Sequence, residues 1–381
     1  MLKPKNKLVG RLKQKSTLKG KLNHAIKHEY PSLKNLEVTP TKEQQVFNHE
    51  NGYGYDEVTV NPIPNEYSIP TGTLTITKNG EHNVKEYERV ITDIREVSKY
   101  SPRAITFNSY SGTDLIPELE ALDTSNITNM TNMFYYCQKL NSLDLSYFNT
   151  SNVTRMTNMF QNCSSLTSVD LSSFDTKKVD SMQQMFSDCK SLTSLDLSNF
   201  NTENVTSFYS MFYQNTNLTS LDLSSFNAEN VTSMGRMFTS CKKLTSLNLS
   251  NFKTPKLSNI VQFCNGCNAL ETLDVSNLDT SNVKSMEYMF SHCQSLTSLD
   301  LSSFNTENVT NMLGMFSNCI SLKYLDIRNF TFNNVSSYSN IFANIPVDCE
   351  IIVKDDIARE WVLARRSDFT NVKTVSELEM A

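Results

Sequence analysis

The chain has 381 residues, of which 39% are hydrophobic and 20% charged, with a formal net charge of -5. This balance excludes a weakly hydrophobic disordered chain, and the lack of any run of 18 apolar residues predicts no membrane-spanning helix. The length leaves room for two or three domains. Seven of ten glycines and seven of ten prolines precede residue 113, which places the main boundary there.

Residues 1–30 form a basic arm with nine Lys or Arg against one Glu. Within it Leu8-Val9-Gly10-Arg11-Leu12 and Leu18-Lys19-Gly20-Lys21-Leu22 make a small repeat. The arm reads as a partner-docking or solvated segment, a short strand pair, or a nucleic-acid contact. Against the last stand the absence of any aromatic before Tyr30 and of a nucleic-acid-binding motif. The arm also lacks the apolar core of a secretory signal. No Sec route is therefore visible, and a chain that reaches the outside of a cell is expected to do so within a particle, by lysis or by another system.

Residues 31–100 read as small β modules that form an attachment region. Leu36–Val38, Glu57–Val60, Leu74–Ile76 and Val90–Thr92 are short β-branched or alternating runs, separated by turn residues that include the hairpin pair Asn79-Gly80. The phrases YPSLKNLEVTPTKEQQVF, GYGYDEVTVNPIP and GTLTITKNGEHNVKEYERV resemble modules of tail-associated proteins in phages and prophages of Firmicutes. That resemblance implies attachment to a virion or tail partner.

Residues 101–347 read as a solenoid with an N-terminal cap. A 26-residue pattern, LxxLDLSxFxTxxVTxMxxMFxxCxx, opens at Leu140, Leu166, Leu192, Leu218, Leu244, Leu270, Leu296 and Leu322, after one eroded copy. Unbroken register at this period signals a coil that buries its apolar face only against its neighbours. Leu195 and Leu197 alternate with polar residues as in a strand. Val205, Phe208, Met211 and Phe212 are spaced as on one face of a short helical turn. The expected fold is an α/β repeat, with parallel strands and short helical turns. The pattern resembles the BspA-like leucine-rich repeat of 26 residues, a family found in bacterial surface, phage-associated and protist surface proteins. The resemblance implies adhesion or partner binding. Residues 348–381 read as a C-terminal cap, with a strand at Ile351–Val353, a helix over Asp355–Arg366 and Trp361 as its anchor.

Stacking turns each consensus position into a column. Asp144, Asp170, Asp196, Asp222, Asp274, Asp300 and Asp326 form an acidic column on the outward strand face, preceded by Glu118 and interrupted by Asn248. Carboxylates about 5 Å apart repel by about 0.8 kcal/mol in water, so a partner must offset the charge. Donation from the column that contains Ser142 and Ser168 is one answer, and attraction of cations or a basic partner is the other. These aspartates are the candidate ligand-binding residues.

Cys137, Cys163, Cys189, Cys241, Cys267, Cys293 and Cys319 share one phase and are expected to be reduced, buried fillers. The coil 244–269 departs from the pattern in three ways, with Asn248 in the acid column, Phe263-Cys264 in place of Met-Phe and a basic loop at Lys253–Lys256. This coil is a second candidate site, with a ligand-free local bend as the competing reading.

No catalytic motif, cofactor-binding loop or metal-ligand spacing is present. A ladder of like carboxylates gives every member one environment, whereas an acid/base pair needs two. The sequence thus predicts a non-enzymatic binding protein without cofactor or metal. Its expected partner is a bacterial surface glycan or protein, or a host matrix protein. A phage tail-associated protein is the first setting, and a bacterial BspA-like adhesin is the alternative.

Overall fold

The computed structural model describes residues 55–60, 71–78, 85–90, 105–107 and 119–380. The basic arm, the run at Leu36–Val38, the Asn79-Gly80 turn and Glu118 lie outside the described residues.

Strands β1 (Tyr55–Val60), β2 (Thr71–Lys78), β3 (Lys85–Val90) and β4 (Ile105–Thr106) form one sheet in the order β3-β2-β1-β4. β1, β2 and β3 pair antiparallel, and β4 joins β1 in parallel through Val58↔Ile105 and Thr59↔Thr106. The described strands of this stretch thus share one sheet. The next residue, Phe107, is buried and enters the solenoid core, where its ring stacks on Phe134 at 5.6 Å.

From Leu119 to Cys349 the chain winds as a parallel-strand β-solenoid of about eight turns. The path of each coil follows from its consensus. In the coil opened by Leu140, i to i+3 backbone bonds close Leu145–Phe148 at 2.9 Å, Thr150–Val153 at 2.9 Å, Met156–Met159 at 3.3 Å, Phe160–Cys163 at 3.1 Å and Cys163–Leu166 at 3.0 Å. Both end residues of every one of these turns are buried. The spacings LxxF, TxxV, MxxM, FxxC and CxxL are thus the chords of five β-turns, each beginning and ending inside. The two residues between them lie at or near the surface, and on the return side their peptide groups bond the neighbouring coils, as where Asn158 N donates to Gln183 O at 2.9 Å.

The short helical turns expected on the return side do not form. Over Phe208 to Gln214, alternate amides donate to the next coil rather than along their own. Phe208 N bonds Ser233 O, Ser210 N bonds Gly235 O, Phe212 N bonds Met237 O and Gln214 N bonds Thr239 O, at 2.8–2.9 Å. Ser210 and Gln214 have φ of 53° and 57°, and the same two positions are left-handed in coil after coil. A left-handed residue every fourth position cannot belong to a right-handed helix. Inward residues three and four apart fit a pair of four-residue turns as well as they fit a helix, and the periodicity misleads for that reason.

On the other side the strands are short. β5 (Ser142–Asp144) pairs with β6 (Ser168–Asp170), and β7 (Ser246–Asn248) pairs with β8 (Thr272–Asp274). β9 (Ser298–Asp300), β10 (Tyr324–Asp326), β11 (Glu350–Val353) and β12 (Val372–Thr374) make a four-stranded parallel sheet. All are in register, with Asp144↔Asp170 and Asp300↔Asp326 directly opposite. Leu192–Leu197, expected to be a strand, forms no ladder, and neither does the next coil at Ser220–Asp222. Leu195 and Leu221 are only partly buried there, whereas Leu143 and Leu247 are 2% exposed. The return side keeps its inter-coil bonds through both of these coils.

One continuous apolar column fills the interior. Phe134, Phe160, Phe186, Phe212 and Phe238 stack with ring centroids 5.3–6.0 Å apart and planes within 9°. Such face-on contacts at one-coil spacing fix the axial repeat as well as burying surface.

The end of the column is covered by helix α1 (Asp356–Leu363) together with Phe369 and β12, and helix α2 (Val375–Glu379) follows against β12. Asp355 caps α1 by accepting from Ala358 N at 2.9 Å. Trp361 stacks flat on Phe332, with centroids 3.9 Å apart and planes within 7°, and meets Phe342 edge-on. Arg365 lies over Trp361 at 3.9 Å. Arg366 donates to the carbonyls of Phe342 and Ile345, two acceptors that the last coil leaves without a following coil. Ile357 is 76% exposed, because the buried face of α1 is Ala358 and Val362. No helix among the described residues is long and apolar enough to cross a membrane.

Candidate functional site

The acidic column sits where each strand turns its first corner. Asp144, Asp170, Asp196, Asp222, Asp274 and Asp300 are all exposed. Each Oδ1 accepts from the backbone N–H two residues on. The donors are Ser146, Ser172, Ser198, Ser224, Ser276 and Ser302, at 2.8–3.0 Å. This local bond shapes the turn that the i+3 bond closes, so the aspartate is selected by turn chemistry. Asn248 makes the same bond to Ser250 N at 2.9 Å, so the interruption changes the charge and not the shape.

The counter-donors are therefore the amides two residues on, and not the column of Ser142 and Ser168. The Ser146 hydroxyl, then its amide, hold Asp144 below the ordinary carboxylate range. For Asp196 and Asp222 the amides of Ser198 and Ser224 come first and their hydroxyls second. Beside the column, burial followed by the charge of Asp144 pushes the Tyr147 phenol up. Among the described residues none of the six exposed aspartates has a salt-bridge partner. Ser142, Leu143, Asp144, Ser168, Asp170 and Asp196 line a recess of about 740 Å³.

Asp326 is the exception in the column. It is 1% exposed, accepts a hydrogen bond from the Tyr324 hydroxyl at 3.0 Å and takes both oxygens' worth of pairing from the Arg328 guanidinium at 2.5–3.0 Å. The column thus ends in a neutral knot at the ninth and last copy. Tyr324 and Arg328 stand where the other coils have Ser or Thr, and that double substitution is the sequence signal for it.

The described residues hold no group of three or more His, Cys, Asp or Glu side chains placed to share a metal ion. The aspartates run in a line at one-coil intervals, which offers attraction to positive charge along its length rather than a cage at one point.

The other columns are spent on holding coils together. Thr150 is 1% exposed; its hydroxyl donates to Asp175 O at 3.0 Å and accepts from Asp175 N at 2.8 Å. Thr176, Thr202, Thr280 and Thr306 repeat this two-way bond. Asn152 donates to Ser125 O and Thr154 to Thr128 O, so the Asn-x-Thr triplet is committed to stacking. The buried threonine ladder was visible only as a repeated letter, and its two-way bonding needs the coil path.

The cysteines do more than fill space. The thiols of Cys163, Cys189, Cys241, Cys267 and Cys319 each donate to the carbonyl 29 residues earlier at 3.1 Å. All nine cysteines are free and buried. Burial raises the pKa of Cys163, Cys189, Cys241 and Cys319, the last pushed up to about 12, which keeps them as thiols and donors. Asn215 stands in the same column and donates Nδ2 to Phe186 O at 2.9 Å, leaving its Oδ1 buried without a partner.

In the coil 244–269 both irregular residues are fully buried. Phe263 meets Phe238 edge-on at 83°, and the small Cys264 occupies the phenylalanine position, so one large and one medium residue exchange places in the core. This is a packing exchange inside the coil, and it brings no polar group to a new site.

The repeat region matches a family described as "Mycoplasma protein of unknown function, DUF285", over residues 105–195, 193–272 and 245–351. No curated protein matches the chain.

Proposed function

This chain belongs to the family described as Mycoplasma protein of unknown function, DUF285, and on that footing we propose that it is a non-catalytic binding protein whose solenoid is a display surface. The observation that carries this reading is how the repeated side chains are used. Thr150, Asn152 and Cys163 with their columns bond coil to coil, while Asp144 and its column hold turns and face water. What remains for chemistry is extended surface, with equivalent groups at about 4.8 Å intervals. Such arrays suit many weak contacts with an extended partner better than one reaction at one point.

The setting proposed first is a phage or prophage tail-associated protein that presents this surface to a host cell. It rests on the N-terminal phrases and their likeness to tail modules. Membership of a bacterial repeat family favours the second reading, a BspA-like cell-surface adhesin that binds host or matrix components. The leucine-rich character of the coil fits both.

Binding of labelled full-length protein to a panel of bacterial cells and to immobilised animal matrix proteins tests the proposal. Saturable binding to bacterial envelopes is expected. Binding to matrix alone would move the protein to the adhesin setting, and binding to neither would remove the display reading.

A further inference from the structure

The nine copies of the coil are an internal alignment, and they show where the chain varies itself. On the strand face, over the eight copies opened by Leu140 to Leu322, the column of Asp144 holds aspartate in all but one and the column of Ser146 holds serine up to Arg328. The return side behaves differently. The corresponding positions are the two middle residues of each of the two turns, which in the first coil are Thr131, Asn132, Tyr135 and Tyr136; the tyrosines there are exposed or half-buried, whereas Ser187, Ser210, Thr239, Ser291 and Ser317 are buried. Down these columns the residue changes at almost every coil.

The backbone at these positions does not explain the choice. Asn132, Tyr136 and their successors have φ of 50–62°, with the glycines Gly266 and Gly314 at 77° and 58°. Asparagine and glycine tolerate this conformation best. They stand at Asn158, Asn162, Asn318, Asn340 and Asn344, yet Tyr136, Arg236, Tyr288 and His292 hold bulky side chains in the same strained region. A residue that works against its backbone is retained for its side chain.

The aromatics among them fall into stations. Tyr135 and Tyr136 are in the first coil, Tyr209 and Tyr213 in the fourth, and Tyr288 with His292 in the seventh. Three coils separate each pair, on the order of 14 Å. Tyr135 and Tyr136 lie with ring centroids 4.5 Å apart, and Tyr136 is 41% exposed. Tyr288 lies against Gly314 so closely that an added Cβ there would be 2.3 Å from its ring, which keeps the tyrosine low on the surface. Carboxamides recur in the other coils except the fifth, which has Gly235, Arg236, Thr239 and Ser240, and two pairs run along the axis, with Asn158 donating to Asn132 at 3.0 Å and Asn344 to Asn318 at 2.7 Å. Within the four columns only Asp188, Arg236 and Glu287 carry full charge, and Lys190 pairs with Asp188 at 3.3 Å.

Resting on the binding reading above, we infer that this turn face, rather than the acidic strand face, is the recognition surface, and that its ligand is a neutral polysaccharide lying along the solenoid axis. Tyrosine rings offer flat apolar faces to the C–H side of a sugar ring. Planar amides offer paired donors and acceptors to neighbouring hydroxyls. A face nearly free of net charge selects against acidic glycans and nucleic acid, which need basic groups. The axial run of equivalent positions matches a chain of repeating units.

The test uses substitutions that the repeat itself supplies. Tyr136→Asn and Tyr288→Asn install the residue of Asn162 and Asn158 in the same columns, and Tyr209→Ser and Tyr213→Ser install that of Ser339 and Ser187. Affinity electrophoresis of full-length protein through gels containing laminarin, dextran or a soluble galactan reads binding, with heparin as the anionic control. Wild type should be retarded by at least one neutral polymer and not by heparin. The fourfold variant should lose about tenfold or more in affinity, as for central aromatic anchors. Its melting temperature should hold or rise, because asparagine relieves the left-handed positions. Asp144→Asn with Asp170→Asn should leave retardation unchanged.

Retention of binding by the fourfold variant, its loss in the aspartate variant, retardation by heparin alone, or no retardation of wild type would each overturn the inference. The cell-binding assay separates the two readings. Cell binding that survives the fourfold variant overturns the turn face and leaves the display function standing, whereas wild type that binds no cell or matrix removes both.

Discussion

Asn215→Cys should stabilise the protein, although it replaces an amide hydrogen bond with a thiol. Asn215 is 1% exposed, and its Nδ2 satisfies Phe186 O at 2.9 Å while Oδ1 has no partner. The orientation is fixed, because a carbonyl oxygen turned toward Phe186 O would face another acceptor. A buried orphan acceptor costs about 1–3 kcal/mol, and a neutral hydrogen bond returns about 1 kcal/mol. Cysteine removes the orphan and keeps a weaker donor, as Cys189 does toward Phe160 O at 3.1 Å. The net gain is about 1 kcal/mol, or roughly 2–4 °C in melting temperature for a domain of this size. Asn215→Ala separates the two effects, since it removes the orphan but strips Phe186 O of its donor and leaves a cavity. The expected order of urea midpoints in reducing buffer is Cys, then Asn, then Ala. A cysteine variant at or below wild type would refute the view that this column is defined by donation to the preceding coil.

Asp196→Asn and Asp222→Asn should leave stability near wild type at pH 7, since Asn248 already makes the same turn bond to Ser250 N. Their native pKa values are held low, so each carboxylate adds stability above its unfolded pKa of about 3.9 that is lost as pH falls through the lower folded value. Melting curves from pH 5 to 2 should therefore fall less steeply in the double variant, and an unchanged slope would contradict the assignment. Trp361→Ala should cost on the order of 3 kcal/mol by urea denaturation and raise dye binding to exposed apolar surface, because Phe332 loses its stacked cover. Thiol titration of the native protein should label none of the nine cysteines until denaturant is added, and labelling before unfolding would contradict their burial.

The sequence made the solenoid legible because every inward position is also a repeated letter. Leu140, Phe148, Val153, Met156 and Cys163 each announce a corner. Backbone conformation at the outward positions was not legible. Ser210 and Gln214 carry no glycine signal, and the three-and-four spacing around them matches a helix, so turns were read as helix. The strand at Leu195 was overstated for a related reason. Alternation reports which side chains face inward, and ladder bonds require the neighbouring coil to stand at the right distance as well. Of the candidate site, the acidic column was found by residue type, and its partner was misassigned. The Ser142 column lies beside the aspartates in sequence, while the Asx turn to Ser146 depends on a corner that only the coil path reveals.

The division of labour between side chain and main chain decides which surface can change. At the strand corner the aspartate shapes the turn, so a substitution other than asparagine there alters the coil. On the return side the main chain makes the axial bonds, as where Asn132 N donates to Thr157 O at 3.0 Å and Tyr136 N to Gln161 O at 2.8 Å. Those bonds do not depend on what the side chain is. Tyrosine, glutamine, histidine and glycine therefore exchange at one column while the axial ladder persists, at the cost of about 1 kcal/mol or more of conformational strain for bulky residues in the left-handed region. A repeat protein that acquires specificity by point substitution can do so on this face without disturbing its fold. The same freedom is denied to the Thr150 ladder, whose hydroxyls bond both the amide and the carbonyl of the next coil. At Ala228 that hydroxyl is missing, and the amide of Lys253, to which it would have bonded, turns to Asn251 O at 3.2 Å instead. The loop beside that missing hydroxyl is the basic Lys253–Lys256 segment, and Thr254 within it still makes the two-way bond to Asp279.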